Sequence, residues 1–230
     1  MGKSHSSRSR ESVVKLLTLA RDLRRRRGRE RQRLFVVEGV RAVEELVRSP
    51  LTVRGALVSD RLAANARGSL VVEALAASGV ETAHVSEEEL ASAAEAETPQ
   101  GLVAIAEVPE RRIDALSTTV DSRLLVLDAV QDPGNVGTLL RTAAALGVAA
   151  TIALPGTVDL WNAKVVRGAM GALFHHFAIA LTLEELDVFL RAREIPLWAA
   201  DQNGEPLTGT RVDGPLAIAV GNEGGGLSSA

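Results

Sequence analysis

Five stretches in the second half of the chain are apolar at consecutive rather than alternating positions: RLLVLDAV (123–130), AATIALP (149–155), HHFAIAL (175–181), PLWAAD (196–201) and PLAIAVG (215–221). A strand with one wet face alternates apolar and polar residues. Unbroken Val, Ile, Leu and Ala runs instead predict strands covered on both faces, the environment of a parallel sheet between helices. Segments with helical spacing separate them, GNVGTLLRTAAALG (134–147), WNAKVVRGAMGAL (161–173) and LEELDVFLRAR (183–193), so the spacing predicts an α/β unit over residues 123–230.

The first half alternates as well, more irregularly. A helix is expected from Ser12 into the first arginines, with Val13, Leu16, Leu17 and Ala20 on one stripe and the arginine run ending it. LFVVEG (34–39) and VRGALVS (53–59) read as strands around a helix at 40–49, and GLVAIAEV (101–108) as a closing strand. In SEEELASAAEAE (86–97) a serine cap and an acidic first turn start another helix. The polar, turn-rich segment 109–122 has no periodicity and is the expected linker between residues 1–108 and 123–230.

Charge is distributed unevenly. The net charge is −3, yet residues 1–33 hold twelve Lys and Arg against Glu11, Asp22 and Glu30, which leaves about −12 on the rest. Eight arginines fall within RDLRRRRGRERQR (21–33). Guanidinium groups at that density repel one another unless they are solvated or face a polyanion, and they bind phosphate bidentately. Nucleic acid is therefore the leading partner, and a solvated helix end is the plainer alternative.

Composition closes several routes. The chain contains no cysteine, which excludes disulfides, thiolate zinc sites and cysteine nucleophiles. No apolar run approaches the ~18 residues of a membrane span, and MGKSHSSRSRES lacks the apolar core of a signal peptide. The expectation is a cytoplasmic protein beginning in a flexible basic arm. A phosphate-binding G-x-x-x-x-G-K-[ST] is absent, GNEGGG does not fit G-x-G-x-x-G, and His175 and His176 are adjacent rather than at metal-ligating spacing, so no metal is expected. They read as the start of a strand.

Three places carry loop chemistry near the ends of buried strands. In DPGNVGTLLRTAAALG (132–147) a Pro-Gly turn precedes Asn135, placed to cap a helix whose buried stripe is Val136, Leu139, Leu140 and Ala143. Arg141 lies roughly 140° around that helix from Val136, free of the core. From spacing alone, a functional arginine and an idle surface one are equally good readings. VGNEGGGLS (220–228) runs from a strand into glycines that let main chain approach a ligand closely; a loose chain end is the alternative. KVVRGAMGALFH (164–175) places Lys164 and Arg167 on one helix face, where they could contact phosphate.

In that order, the three motifs resemble those of the SpoU (TrmH-like) family of RNA 2′-O-ribose methyltransferases, of the trefoil-knotted SPOUT class. RRRRGRERQRLFVVEGVRAVEELV (24–47) and ETPQGLVAIAEV (97–108) resemble the RNA substrate-binding domain that precedes the catalytic domain in ribosomal-RNA members. The match covers nearly all of residues 12–228. The resemblance implies a ribosomal-protein-like α/β sandwich followed by a SPOUT domain with a mainly parallel sheet and a trefoil knot. It implies S-adenosyl-L-methionine as methyl donor, structured RNA as substrate, ribosomal rather than transfer RNA, and a homodimer with active sites built from both subunits.

Carried over by position, Asn135, Arg141 and Glu223 are the implied catalytic residues. Gly221, Asn222, Gly224 and Leu154 are the implied cofactor contacts. Arg24, Arg25, Arg26, Arg27 and Arg33, with Lys164 and Arg167, are the expected RNA contacts. The family continues into a third motif, an isoleucine-proline-methionine stretch and a serine-leucine-asparagine-valine-serine helix start, whereas this chain stops at Ala230. For the chain as written, the expectation is an incomplete knot and a cofactor pocket lacking one wall. Two competing readings are a non-catalytic RNA-binding module that dimerises through a truncated SPOUT domain, and a nucleotide-dependent enzyme of ordinary doubly wound fold.

Overall fold

A computed structural model describes residues 3–64, 66–206 and 212–228, with side chains from Arg10 onward except at 63 and 64. Met1, Gly2 and the side chains of residues 3–9, much of the expected basic arm, lie outside the described residues.

The first half comprises α1 (Lys3–Leu23), α2 (Arg26–Gln32), β1 (Leu34–Glu38), α3 (Val40–Arg48), β2 (Val53–Val58), α4 (Ala66–Ala77), β3 (Thr82–His84), α5 (Glu87–Ala93) and β4 (Leu102–Glu107). Its sheet has the order β1-β4-β2-β3, with β4 antiparallel to both neighbours and β3 parallel to β2. The expected stripe of α1 is its inner face: Leu16, Leu17 and Ala20 are buried with α5 residues Leu90 and Ala93 against one side of the sheet. Ser86 caps α5, and Glu89 completes a reciprocal capping box.

Two expectations for this half change. α1 begins at Lys3 rather than Ser12. The arginine run does not simply end a helix; after a break at Arg24 and Arg25 it continues as α2, folded back on the end of α1. Gly28 permits the close return, because a Cβ there would stand 2.2 Å from the carbonyl oxygen of Asp22.

The second half comprises β5 (Arg123–Leu127), α6 (Pro133–Ala145), β6 (Ala150–Ala153), α7 (Ala163–Gly168), α8 (Ala172–His175), β7 (Ala178–Ala180), α9 (Leu183–Ala192), β8 (Leu197–Ala199) and β9 (Leu216–Val220). The sheet order is β7-β6-β5-β9-β8, and every pairing is parallel. Burial from both sides explains the unbroken apolar runs of β5, β6 and β9, but not that of edge strand β8, where Leu197 and Ala199 are exposed. Leu124, Val126, Ile152 and Ala217 face α9, whereas Leu127 and Ala153 face the layer of α6, α7 and α8.

The helix expected over 161–173 is two helices. Gly171 turns the chain at φ 89°, and Met170 before it also has a left-handed φ of 50°. The two histidines do not begin a strand: His175 ends α8, and His176 is its C-terminal cap. Segment 109–122 is not a loose tether. It contains a short 3-10 turn at Ile113–Ala115, buries Leu116 in the α9 core, and sends Arg111 Nη1 to the carbonyls of His176, just before edge strand β7, and of Ala178 at its start.

The halves share one core. Phe35 of β1 packs on Trp161 with ring centroids 4.5 Å apart, and on Phe174 at 6.1 Å. Arg29, only 5% exposed, donates from Nε to Asp159 Oδ2 at 2.7 Å, across the junction.

His176 shows what burial costs a titratable group. Its Nε2 is 2.8 Å from Thr151 Oγ1, and burial, aided by the nearby Arg111 guanidinium, pushes its pKa from 6.5 down to about 4. An unfolded imidazole takes up a proton near pH 6.5, the folded one only near 4, so this contribution to stability is complete above pH 6.5 and declines as the pH falls towards 4. Urea midpoints measured across this range should fall with pH more steeply for the native protein than for His176→Gln; parallel profiles would show that His176 does not carry the dependence.

Candidate functional site

From β5 the chain steps through β6 to β7 on one side of the sheet, then returns to place β8 and β9 on the other. In open parallel sheets such a reversal leaves a crevice beyond the carboxyl ends of the adjacent strands. The loops that border it here are 128–132 after β5, 154–162 after β6 and 221–227 after β9.

The start of α6 forms one wall. Its N-cap is Asp132, not Asn135 as the sequence suggested: Pro133 takes the first helical position, and Asp132 Oδ1 accepts from Asn135 N at 2.7 Å. With the cap supplied by Asp132, the Asn135 amide is free to reach across the crevice, where Nδ2 donates to Glu223 Oε1. Val136, Leu140 and Ala143 are buried as expected, whereas Leu139 is only half-buried. Arg141 is exposed, and its described hydrogen bond is from Nη1 to Met170 Sδ at 3.0 Å. Asn135 and Glu223 are therefore brought together, and Arg141 sits further along the helix without touching either.

The glycine loop after β9 is closed rather than loose. Asn222 and Gly226 exchange main-chain hydrogen bonds of 2.9 and 2.8 Å. Asn222 Oδ1 accepts from Gly224 N and Gly225 N, and its Nδ2 donates to Ala129 O at 3.1 Å, tying the loop to the end of β5. Gly221 is the position where no side chain fits, since its Cβ would stand 2.2 Å from Gly226 O. Asp128, 6% exposed, accepts from both N and Oγ of Ser228, at 2.6 and 2.8 Å.

The third wall carries Leu154, 8% exposed. Leu154 N donates to Leu127 O at 2.9 Å, Thr157 Oγ1 donates to the same carbonyl, and Val158 N donates to Val130 O. The three loops are thus hydrogen-bonded into one rim. An apolar residue at Leu154, a tightly turned glycine loop and carboxylates at Glu223 and Asp132 suit a nucleoside with a cationic substituent. Among the described residues no group of three or more metal-ligating side chains stands together, and no helix is long and apolar enough to cross a membrane.

The basic run divides by contact. Arg21 and Arg24 bond to Ser92, Arg26 pairs with Glu30, Arg31 with Asp22, and Arg29 with Asp159. Arg25, Arg27 and Arg33 are exposed and make no ion pair among the described residues. Lys164 and Arg167 are likewise exposed on α7.

Solved structures share this architecture. The SpoU methyltransferase AviRb of Streptomyces viridochromogenes, in complex with the cofactor AdoMet, is 26% identical, with a TM-score of 0.81 over 93% of this chain and 83% of that one. An AdoMet-bound rRNA methyltransferase of Sinorhizobium meliloti, 23% identical, shares the fold at a TM-score of 0.80, over 93% of this chain and 80% of that one. The fold is that of the SPOUT methyltransferases. The profile of the SpoU rRNA Methylase family matches residues 122–230, and that of the MRM3-like substrate binding domain matches residues 15–104. The 23S rRNA (guanosine(2553)-2′-O)-methyltransferase RlmP of Bacillus subtilis (strain 168) is 32% identical over 90% of this chain and 79% of its own length. The chain belongs to the SpoU rRNA methylase family.

Sequence reasoning passed over Asp128, Ala129, Gly137 and Gly168. Gly137 lies where α6 crosses α7, and its Cβ would be 2.8 Å from the Gly168 main chain. Ala129 holds a left-handed φ of 53°, which nothing in its side chain announces. Gly221→Ala should force the Asn222–Gly226 closure open: amide exchange over 222–228 should accelerate while global stability changes by less than about 1 kcal/mol, since exposed loops open at little cost. Unchanged exchange would mean that the loop accommodates a methyl group.

Proposed function

We propose that this protein is an S-adenosyl-L-methionine-dependent RNA 2′-O-ribose methyltransferase that acts on ribosomal RNA. The observation that carries the reading is the Asn135–Glu223 contact, which joins the first-motif helix to the glycine loop at the sheet's reversal point in a chain of this family. The names of its relatives, methyltransferases of 23S rRNA, support the substrate class.

The cofactor supplies a methyl group on a positively charged sulfur. In this reading Gly221, Asn222 and Gly224 offer main chain to its nucleoside, and Leu154 closes an apolar side. A ribose 2′-hydroxyl is a weak nucleophile at neutral pH and must be aligned and relieved of its proton. Arginine is protonated at any working pH and accepts a proton poorly, so Arg141 serves as a phosphate anchor and stabiliser of developing charge, with proton removal left to solvent or a phosphate oxygen. Asn135 and Glu223 hold the rim in shape. The knot, the homodimer in which both subunits complete each site, the cytoplasmic location and the division at residues 109–122 belong to the same proposal.

RNA would approach along α2 and α7. Because several arginines of the run are already engaged, Arg25, Arg27 and Arg33 are the principal phosphate contacts, joined by Lys164 and Arg167, with Arg24 and Arg26 contributing less than the sequence suggested.

Arg141→Ala should abolish methylation in a single-turnover assay, reducing the rate by at least about 100-fold, with cofactor affinity held within about twofold, as expected for a group acting on the reacting oxygens rather than on cofactor binding. Near-normal turnover would sink the role. Neutralising Arg25, Arg27 and Arg33 together should lower the slope of log affinity against log salt by about two to three, close to one for each phosphate left without its cation. An unchanged slope would remove them from the interface. A full-length protein that binds RNA but no S-adenosyl-L-methionine would instead favour a non-catalytic module.

A further inference from the structure

The most buried member of the basic run is turned towards the other half of the molecule. Arg29 is 5% exposed; its Nη1 donates to the carbonyls of Leu23 at 2.8 Å and Arg24 at 3.0 Å, where α1 gives way to α2. Its Nε meets Asp159 Oδ2 at 2.7 Å. Asp159 lies in the loop after β6, five residues beyond Leu154, and its other oxygen accepts from Trp161 N at 3.0 Å. Trp161 in turn packs on Phe35 of β1. The loop that presents Leu154 is thus fixed by its own half, through Leu127 of β5 and Val130 of the loop after it, and at its far end by the other half of the molecule.

We infer that Arg29 and Asp159 are positioning residues for the cofactor: the substrate-binding half sets the pose of the Leu154 loop through this ion pair and thereby sets cofactor affinity. The inference rests on the reading of Leu154 as a cofactor contact. A pair with Arg29 5% and Asp159 17% exposed is suited to the task. The buried guanidinium is costly to leave unpaired, so the pair favours one relative placement of the two elements more than a fully exposed pair would. Arg29 belongs to α2, and its hydrogen bonds to Leu23 at the end of α1 and to Arg24 in the break make that placement follow the basic helix, so that α2 and the cofactor loop move together. Without the pair, the Leu154 loop keeps its main-chain bonds to β5 but is no longer anchored at Asp159, and the cofactor must order a wall that is now preset.

The test measures S-adenosyl-L-methionine affinity by calorimetry on the full chain, alongside thermal unfolding. Asp159→Asn keeps the acceptor for Trp161 N, while it removes the charge and puts an amide donor where Oδ2 accepted from Arg29 Nε. Arg29→Met keeps the apolar stem. Both should weaken cofactor binding by about tenfold, within the range of couplings transmitted through packed neighbours, and should raise the KM for the cofactor more than they lower kcat. The exchanged pair Arg29→Asp with Asp159→Arg should recover part of the affinity. Leu154→Ala separates the two ideas. If it weakens binding while folded Asp159→Asn binds as the native chain does, the positioning role is overturned and the Leu154 reading stands. If Leu154→Ala also binds normally, Leu154 is not a cofactor wall and both readings fall. A lowered unfolding temperature with unchanged affinity would reduce the pair to a structural strut and likewise overturn the inference.

Discussion

The contact between Gly137 and Gly168 governs the geometry of the second half. Two helices can cross main chain to main chain only where neither carries a side chain at the contact, and here a single Cβ would stand 2.8 Å from backbone atoms. That crossing fixes α6 relative to α7. It directs the α6 N-terminus, with Asp132 and Asn135, towards the glycine loop, and it lets the turn after α7 bring Met170 against Arg141. Larger residues would push the helices apart and separate the motifs that the site depends on.

Much of this was legible in the sequence because it follows from patterns with a direct physical cause. Continuous apolar runs meant strands covered on both faces, and β5, β6 and β9 of the parallel sheet are such strands, whereas the run at β8 lies on an exposed edge. The Val136, Leu140 and Ala143 stripe and the Ser86 cap follow from periodicity and from hydrogen-bonding demand at helix ends. Details set by tertiary context were not legible. Asn135 and Asp132 are both competent caps, and Pro133 decides between them by fixing the first helical position. The break in 161–173 needs left-handed backbone at Met170 as well as Gly171, and methionine gives no local sign of it. The run of arginines looked uniform because charge density says nothing about which guanidinium groups already have partners.

That last difference alters how basic segments should be read. Within a dozen residues the same side chain serves as a surface pair partner, a helix tether, a buried bridge between two halves and a free cation. Guanidinium suits all four because its planar fork satisfies carbonyls and carboxylates alike and tolerates partial burial. A tract of this kind can therefore evolve structural and substrate-facing members without changing composition.

Arg111 illustrates a different economy. The carbonyls of His176 and Ala178 point away from β6, on the open side of edge strand β7, and the arginine occupies both. An uncovered edge is a template on which another chain can add a strand, and its usual outcome is aggregation. The opposite edge, β8, is only three residues long. The segment joining the two halves thus doubles as a guard on the sheet: the connector that buries Leu116 in the α9 core also covers the open edge of β7.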